Sequence, residues 1–487
     1  MKDLRFASAG EQISALRKHR IGPVELLRET LAHVRRGNPE INAVVEINEE
    51  QALREAKAIE KRRGTLGPLA GLPVTVKDSY EVRGFHAVCG DPAFKNHRPE
   101  RNAEAVQRMI DAGCVIYGKT NAPKMAMDFQ TYNSVYGVTN NPHDPQRTVG
   151  GSSGGSAASL ASGFSSLEIG SDIGGSLRNP AHYCGVCSHK PSYGLISLRG
   201  HIPGPPGTMS QPDLAVAGPM ARYAEDLKLL FSVLTTPSES PAKRGRVLLP
   251  PHQALSRDWR KLRVALWMDD SFCPIDSEVR EPILRFVEDL QRLGLKVQPA
   301  GPENLSTLYN LYIQLLMGAV SAGIPATQLK LMKATAGFLR VLSTFGLARE
   351  LSRFVRGATQ SHSDWVILNE IRERMRYSFD DFFRKFDIIL SPVTPVRAFR
   401  HQTGGTIFSR RLRVNGRDAP YLDHFKWIAA ATALYLPVTT IPIARDGGLP
   451  SGVQITGPYL GDATTLEFAC QVERALGGFV PPRMFVT

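Results

Sequence analysis

Apolar residues recur every three to four positions through 8–19 and again through 23–36, which predicts two helices at the start of the chain, with Pro23 suited to a first turn. INAVVEI (41–47) reads as a short strand and the charged stretch 49–63 as a third helix. LPVTVKD (72–78) is a β-branched run that ends on a lysine and an aspartate. From 102 a helical pattern (NAEAVQRMIDAG) runs into a strand (CVIYG), the alternation of an α/β sheet. Further strands are predicted at 262–267 (LRVALW), 294–298 (GLKVQ), 387–391 (DIILS), 438–443 (VTTIPI) and 452–457 (GVQITG), with helices at 277–292 and 364–384. The stretch TPSESPAKRGRVLLPP (236–251) reads as a connection, either between two domains or within one extended sheet. Residues 308–356 mix Leu, Met and Phe with Lys and Arg, the pattern of amphipathic helices. Such helices pack on a core, cover a substrate pocket or touch a membrane surface.

Composition narrows the class. The 487 residues are enough for a large core, with 42% hydrophobic and 22% charged residues, an ordinary globular balance. No window reaches the roughly 18 consecutive apolar residues of a membrane span, so stable membrane insertion is not expected. The charged start MKDLRFASAGEQISALRKHR lacks the apolar run of a signal peptide, and a cytoplasmic location is the expectation. The formal net charge of +13 is spread along the chain; its densest runs, Lys61-Arg62-Arg63 and Arg410, Arg411 and Arg413, come without a nucleic-acid-binding motif. Nucleic acid is therefore not an expected partner.

Six cysteines in a chain of this length do not make a disulfide framework. His182, Cys184, Cys187 and His189 in HYCGVCSHK have the residue types of a zinc site, but no second C-x-x-C pair accompanies them, so packing is the expected role and no metal is assigned.

Three glycine-rich patterns compete for the chemistry. GCVIYGKT (113–120) matches the P-loop letter for letter, which would make Lys119 a phosphate ligand and the chain a nucleotide-binding protein. Its interior Cys, Val, Ile and Tyr favour an extended strand over a phosphate-cradling curl, and a helix precedes it where a strand is required. GSSGG (151–155) fits the hydrolase elbow G-x-S-x-G with Ser153 as nucleophile, but NNPHDPQRTVG before it reads as a loop, not the strand that elbow needs. The third reading joins GGSSGGS (150–156) and DIGGS (172–176) to Lys77. A serine hydroxyl needs a base, and a lysine serves once burial has stripped its proton. Lys77 closes an apolar run where such burial is plausible, and Gly174 and Gly175 free the backbone before Ser176 to aim N–H groups at one point.

GGSSGGSAASLASGFSSLEIGSDIGGSLRNPA (150–181) resembles the signature of the amidase signature family of serine hydrolases. GLPVTVKD (71–78), AGCVIYGKTNAPKMA (112–126), CGVCSHKPSYGLIS (184–197), FDIILSPVTP (386–395) and GLPSGVQITGP (448–458) resemble further family segments. The resemblance implies an α/β fold with a large mixed β-sheet core surrounded by α-helices. It implies one amidase domain over 1–487, with N-terminal helices to 65, a catalytic core at 66–235 and a variable cap at 308–356 over the substrate pocket. It makes Ser176 the nucleophile, Ser152 a bridging serine after a cis Gly151–Ser152 peptide, and Lys77 the base. Backbone N–H groups of Ile173, Gly174, Gly175 and Ser176 become the oxyanion hole, with Ser153, Asp172 and Arg178 as supports. The implied activity is hydrolysis of the C–N bond of linear amides, extending to aryl amides, carbamates or esters, without metal or organic cofactor. The implied partner is that small-molecule substrate, with a homodimer as one option. The amidase component of a tRNA-dependent amidotransferase is the alternative within the same resemblance. Cys187, His189 and Ser451 depart from the family pattern without touching the three catalytic positions. The apolar residues of GHIPGPPGTM (200–209) point to an apolar or aromatic acyl group.

Overall fold

The computed structural model of the protein describes residues 4–62, 66–202, 207–236, 258–443 and 448–486. Almost all of the predicted connection at 236–251, and the PGPP of 203–206, lie outside the described residues.

The N-terminal periodicity forms two helices, Ala9–Arg17 and Pro23–Ile41. The first starts at a capping box in which Ser8 and Glu11 satisfy each other's backbone N–H groups, and the second has Pro23 in its first turn. A three-stranded sheet follows, in the order Val44–Ile47, Val115–Thr120, Pro73–Lys77. Its last two strands are parallel, which sets Lys77 beside Thr120 at their ends.

The main sheet has eight strands, in the order Lys296–Pro299, Arg263–Leu266, Ile388–Pro392, Gly452–Thr456, Val438–Pro442, Cys187–Lys190, Val216–Ala221, Leu167–Asp172. The first three are parallel and the others pair antiparallel, so the sheet is mixed. It draws strands from both sides of 236–251, the extended-sheet reading of that connection. Helices pack around it: Ala224–Thr235 and Asp462–Leu476 lie together, and Ser277–Arg292 covers the parallel edge. The small sheet meets the main one at its Leu167–Asp172 edge, where the Thr75 N–H donates to Ser165 Oγ (3.3 Å) and the Tyr80 hydroxyl to Gly170 O (2.6 Å). That seam carries the site.

A ribbon and three strands differ from the sequence expectation. Part of the loop expected at 140–150 is a short two-stranded ribbon, Asn140–Asn141 against Asp144–Thr148. Three strands of the main sheet, Leu167–Asp172, Cys187–Lys190 and Val216–Ala221, carry little of the β-branched signal that marks the others, and full burial sustains them.

Residues 308–356 fold into three helices, Leu305–Val320, Ala326–Thr344 and Arg349–Ala358. The first buries Leu308, Tyr309, Tyr312 and Leu316, whereas the second buries none of its residues and exposes Leu331, Phe338 and Val341. Among the described residues, no helix is long and apolar enough to cross a membrane.

Candidate active site

Lys77 leaves the end of its strand into the seam between the sheets, where its side chain is fully buried. Its Nζ donates to three hydroxyls: Ser152 Oγ at 2.8 Å, Ser153 Oγ at 3.0 Å and Ser171 Oγ at 3.0 Å. Among the described residues no carboxylate pairs with it. Burial lowers its pKa to about 8, against the opposing pull of Asp172 and Glu168. A buried ammonium held by hydroxyls instead of a paired carboxylate is costly, and losing the proton relieves that cost.

The glycine–serine segment supplies two of the three hydroxyls. GGSSGGS runs into the helix Gly154–Ala161, whose eight residues are all buried. Its small residues are required: a Cβ on Gly155 would overlap the backbone of Asn121. The Gly151–Ser152 peptide is cis. Ser153 also braces the adjacent strand, its hydroxyl donating to Ser171 O and accepting from the Ser171 N–H, both at 3.4 Å.

Ser176 joins this group through the backbone. The Ser153 N–H donates to Ser176 O at 3.1 Å, tying the two glycine–serine segments together. Both serines are buried, but Ser176, 7% exposed against 1% for Ser152, keeps the larger opening to solvent. Gly175 takes φ +88°, a left-handed conformation natural to glycine, and this turns the chain just before Ser176.

Asp172 and Arg178 hold that turn. Arg178 Nε and Nη2 grip the Asp172 carboxylate at 3.0 and 2.9 Å, and the same carboxylate accepts the N–H groups of Gly175 (3.0 Å) and Leu177 (3.2 Å). Arg178 reaches on to Gln454 Oε1 and Thr432 Oγ1. Burial alone would raise the Asp172 pKa, but the Arg178 charge and these hydrogen bonds outweigh it and leave it below the usual carboxylate range. Both side chains are fully buried, so removing one strands the other's charge. Asp172→Ala is expected to destabilise the fold by about 3–5 kcal/mol, read as a lowered midpoint in urea unfolding. An unchanged midpoint would contradict the bracing role. Of the four backbone N–H groups expected to face an oxyanion, that of Gly175 is committed to Asp172.

Sequence reasoning missed three features. Ser171, the third hydroxyl on Lys77, gave no signal beyond its place before Asp172. Tyr312, on the helix Leu305–Val320, donates its hydroxyl to Ile173 O at 2.8 Å and so anchors the loop before Ser176. Phe425 lies over Gly174, where a Cβ would stand 2.9 Å from its ring. Phe129, Tyr312 and Phe354 surround Phe425 at ring distances of 4.6, 5.8 and 6.4 Å, an aromatic wall beside the Ser176 loop.

The rival motifs go elsewhere. Residues 115–120 are a fully buried strand, and Lys119 Nζ donates to Tyr80 O (2.8 Å) and His86 O (3.0 Å), 3.6 Å from the Asp78 carboxylate. That lysine pins the 78–90 loop. Around the C-x-x-C, His182 accepts the Gly452 N–H at 2.8 Å, His189 pairs with Asp462 at 3.0 Å, and the Cys184 and Cys187 thiols turn to Val149 O and Arg222 O.

The mixed sheet and the two glycine–serine segments place the protein in a known class: the Amidase family model matches residues 25–466, and the chain belongs to this family, the amidase signature hydrolases of carbon–nitrogen bonds. It is similar to a component of the glutamyl-tRNA(Gln) amidotransferase of Nostoc sp. (strain PCC 7120), 30% identical over 96% of this chain and 98% of that one. Among solved structures it resembles 6-aminohexanoate cyclic dimer hydrolase in complex with substrate (26% identity, TM-score 0.80, 99% of each chain). It also resembles a crystal structure of an amidase (28% identity, TM-score 0.77, 96% of this chain and 100% of that one).

Proposed function

We propose that the protein hydrolyses the C–N bond of linear amides through an acyl-enzyme on Ser176, with Ser152 as relay and Lys77 as base. The observation that carries this reading is the buried Lys77 amine, bonded to serine hydroxyls and, among the described residues, to no carboxylate. Neutral Lys77 takes the Ser152 proton as Ser152 takes that of Ser176, and Ser176 Oγ bonds to the carbonyl carbon. The oxyanion is met by the N–H groups of Ile173, Gly174 and Ser176, while Gly175 holds Asp172. As the C–N bond breaks, the relay returns the proton to the leaving amine. Water, deprotonated by the same relay, then releases the acid and restores Ser176. No metal or organic cofactor is needed for these steps. Carbamates and esters pass through the same acyl transfer.

The aromatic wall around Phe425 favours an apolar or aryl acyl group, with the helices at 305–358 as the cap of that pocket. A second reading has a specific observation behind it: the nearly full-length likeness to the amidotransferase component, whose counterpart activity here would be glutamine hydrolysis beside partner proteins. The two differ in substrate charge. A glutamine zwitterion against an aromatic wall leaves desolvated charges short of partners, at several kcal/mol each. The purified chain alone is therefore expected to cleave a benzoyl or phenylacetyl anilide about 100-fold faster than glutamine, measured as released aniline and ammonia. Glutamine hydrolysis that appears only with a partner protein, and no anilide cleavage, would replace this reading with the second.

A further inference from the structure

Lys77 as a base raises a question of hydrogen placement. A neutral amine has two N–H hydrogens and one lone pair, yet three hydroxyls surround Nζ at 2.8–3.0 Å. Proton abstraction from Ser152 requires the lone pair to face Ser152 Oγ, so both hydrogens must go to Ser153 and Ser171. Each of those hydroxyls must then accept from Lys77 and send its own hydrogen elsewhere. Ser153 has such an outlet in Ser171 O. Ser171 has one in His201, whose Nε2 lies 2.9 Å from Ser171 Oγ.

His201 is built into place for this. It lies where the chain after Cys187–Lys190 returns to the small sheet, pairing its backbone with Tyr80 in an isolated bridge. The Tyr80 ring meets the imidazole edge-on at 4.7 Å, and Ser79 Oγ lies 3.0 Å from the same Nε2. Burial, and then the neighbouring Lys77 charge, hold the His201 pKa well below that of a free imidazole, so the ring is neutral and one nitrogen carries a lone pair.

We propose that His201 is a positioning residue for the base: its Nε2 lone pair accepts the Ser171 hydroxyl hydrogen, which turns the Ser171 oxygen toward Lys77 and leaves the Lys77 lone pair facing Ser152. The inference rests on the reading of Lys77 as the base. With the opposite tautomer, Nε2–H would donate to Ser171 or Ser79, and the Ser171 hydrogen, left without its acceptor, would turn to the Lys77 lone pair and compete with Ser152. The proposal thus requires the His201 proton on Nδ1 and the Ser79 hydroxyl hydrogen directed away from Nε2. The sequence offered this histidine only as part of an apolar segment, and its role follows from a contact across 30 residues.

The test is a set of variants at 171 and 201, read by turnover of an anilide substrate and by the rate at which a fluorophosphonate labels Ser176. His201→Leu is expected to lower kcat about 10- to 100-fold with KM unchanged, and to slow labelling by the same factor, because the relay is misoriented while the pocket stays intact. His201→Gln, which can present an acceptor oxygen to Ser171, is expected to recover most of the rate. Ser171→Ala is expected to match His201→Leu, and the double variant to be no slower than either single one, since both remove one link. Wild-type labelling in Ser171→Ala overturns the proposal even if His201→Leu fails to fold. A raised KM with unchanged kcat in His201→Leu, or additive losses in the double variant, also overturns it by making His201 a pocket residue. Failure of the underlying mechanism is distinguishable: it would show as unlabelled Ser176 in the wild-type protein.

Discussion

Ser176→Ala is expected to cut kcat/KM by about 10⁴-fold or more and to leave the unfolding midpoint where it was, because under the proposed mechanism it deletes the atom that forms the covalent bond and it removes nothing that supports the loop. The loop is held by Asp172 and Arg178, by the Tyr312 hydroxyl on Ile173 O, and by the backbone bond from the Ser153 N–H to Ser176 O, all of which survive the substitution. The residual rate would come from substrate binding and the remaining backbone donors, which act without the nucleophile. The same variant answers a question about the neighbouring serine. A fluorophosphonate should mark Ser176 in the wild-type protein, found by mass spectrometry of the labelled peptide, and mark nothing in Ser176→Ala. Label on Ser153 would favour the elbow reading of GSSGG, and wild-type turnover in Ser176→Ala would end the acyl-enzyme mechanism.

The candidate site was legible where its residue types stand in short contiguous runs. VTVK ends in a lysine that the pattern of its own strand buries, and two glycine–serine segments announce backbone that must turn tightly. The strands read from β-branched runs, such as those at 262–267 and 438–443, appear within a residue or two of their expected ends. What escaped depends on partners far away in sequence. CSHK and VAGPMA are strands because neighbours on both sides supply hydrogen bonds, and LEIGSD, at the sheet's edge, because VAGPMA pairs with it along its whole length and burial covers its faces, so tertiary context decides where propensity is silent. The aromatic wall draws Phe129, Tyr312, Phe354 and Phe425 from segments spread over nearly 300 residues (425 − 129 = 296). No local pattern reports such a convergence. Ser171 escaped for a related reason: a serine beside an aspartate has many ordinary uses, and only the seam between the two sheets gives it Lys77 on one side and His201 on the other.

Lys77→Ala is expected to lose activity on the scale of Ser176→Ala, about 10⁴-fold, and the wild-type pH profile explains why the charge state matters as much as the side chain. With the Lys77 pKa at about 8, the neutral amine that the proposed mechanism uses as its base is the minor form at pH 7. Below that pKa each unit of pH removes nine-tenths of the active form, so log kcat/KM should climb with a slope of one and level off above about pH 8. The direction follows from the base being the deprotonated state; a group needed in its protonated state would give a falling limb instead. Lys77→Arg sharpens the test, since a guanidinium stays protonated throughout the accessible range and can donate to the serines but never accept from them. It should be as inactive as the alanine variant at every pH, although it preserves the positive charge. A profile flat from pH 6 to 9, or substantial activity in Lys77→Arg, would show that the buried amine serves only as a hydrogen-bond donor and that the proton of Ser176 leaves by another route.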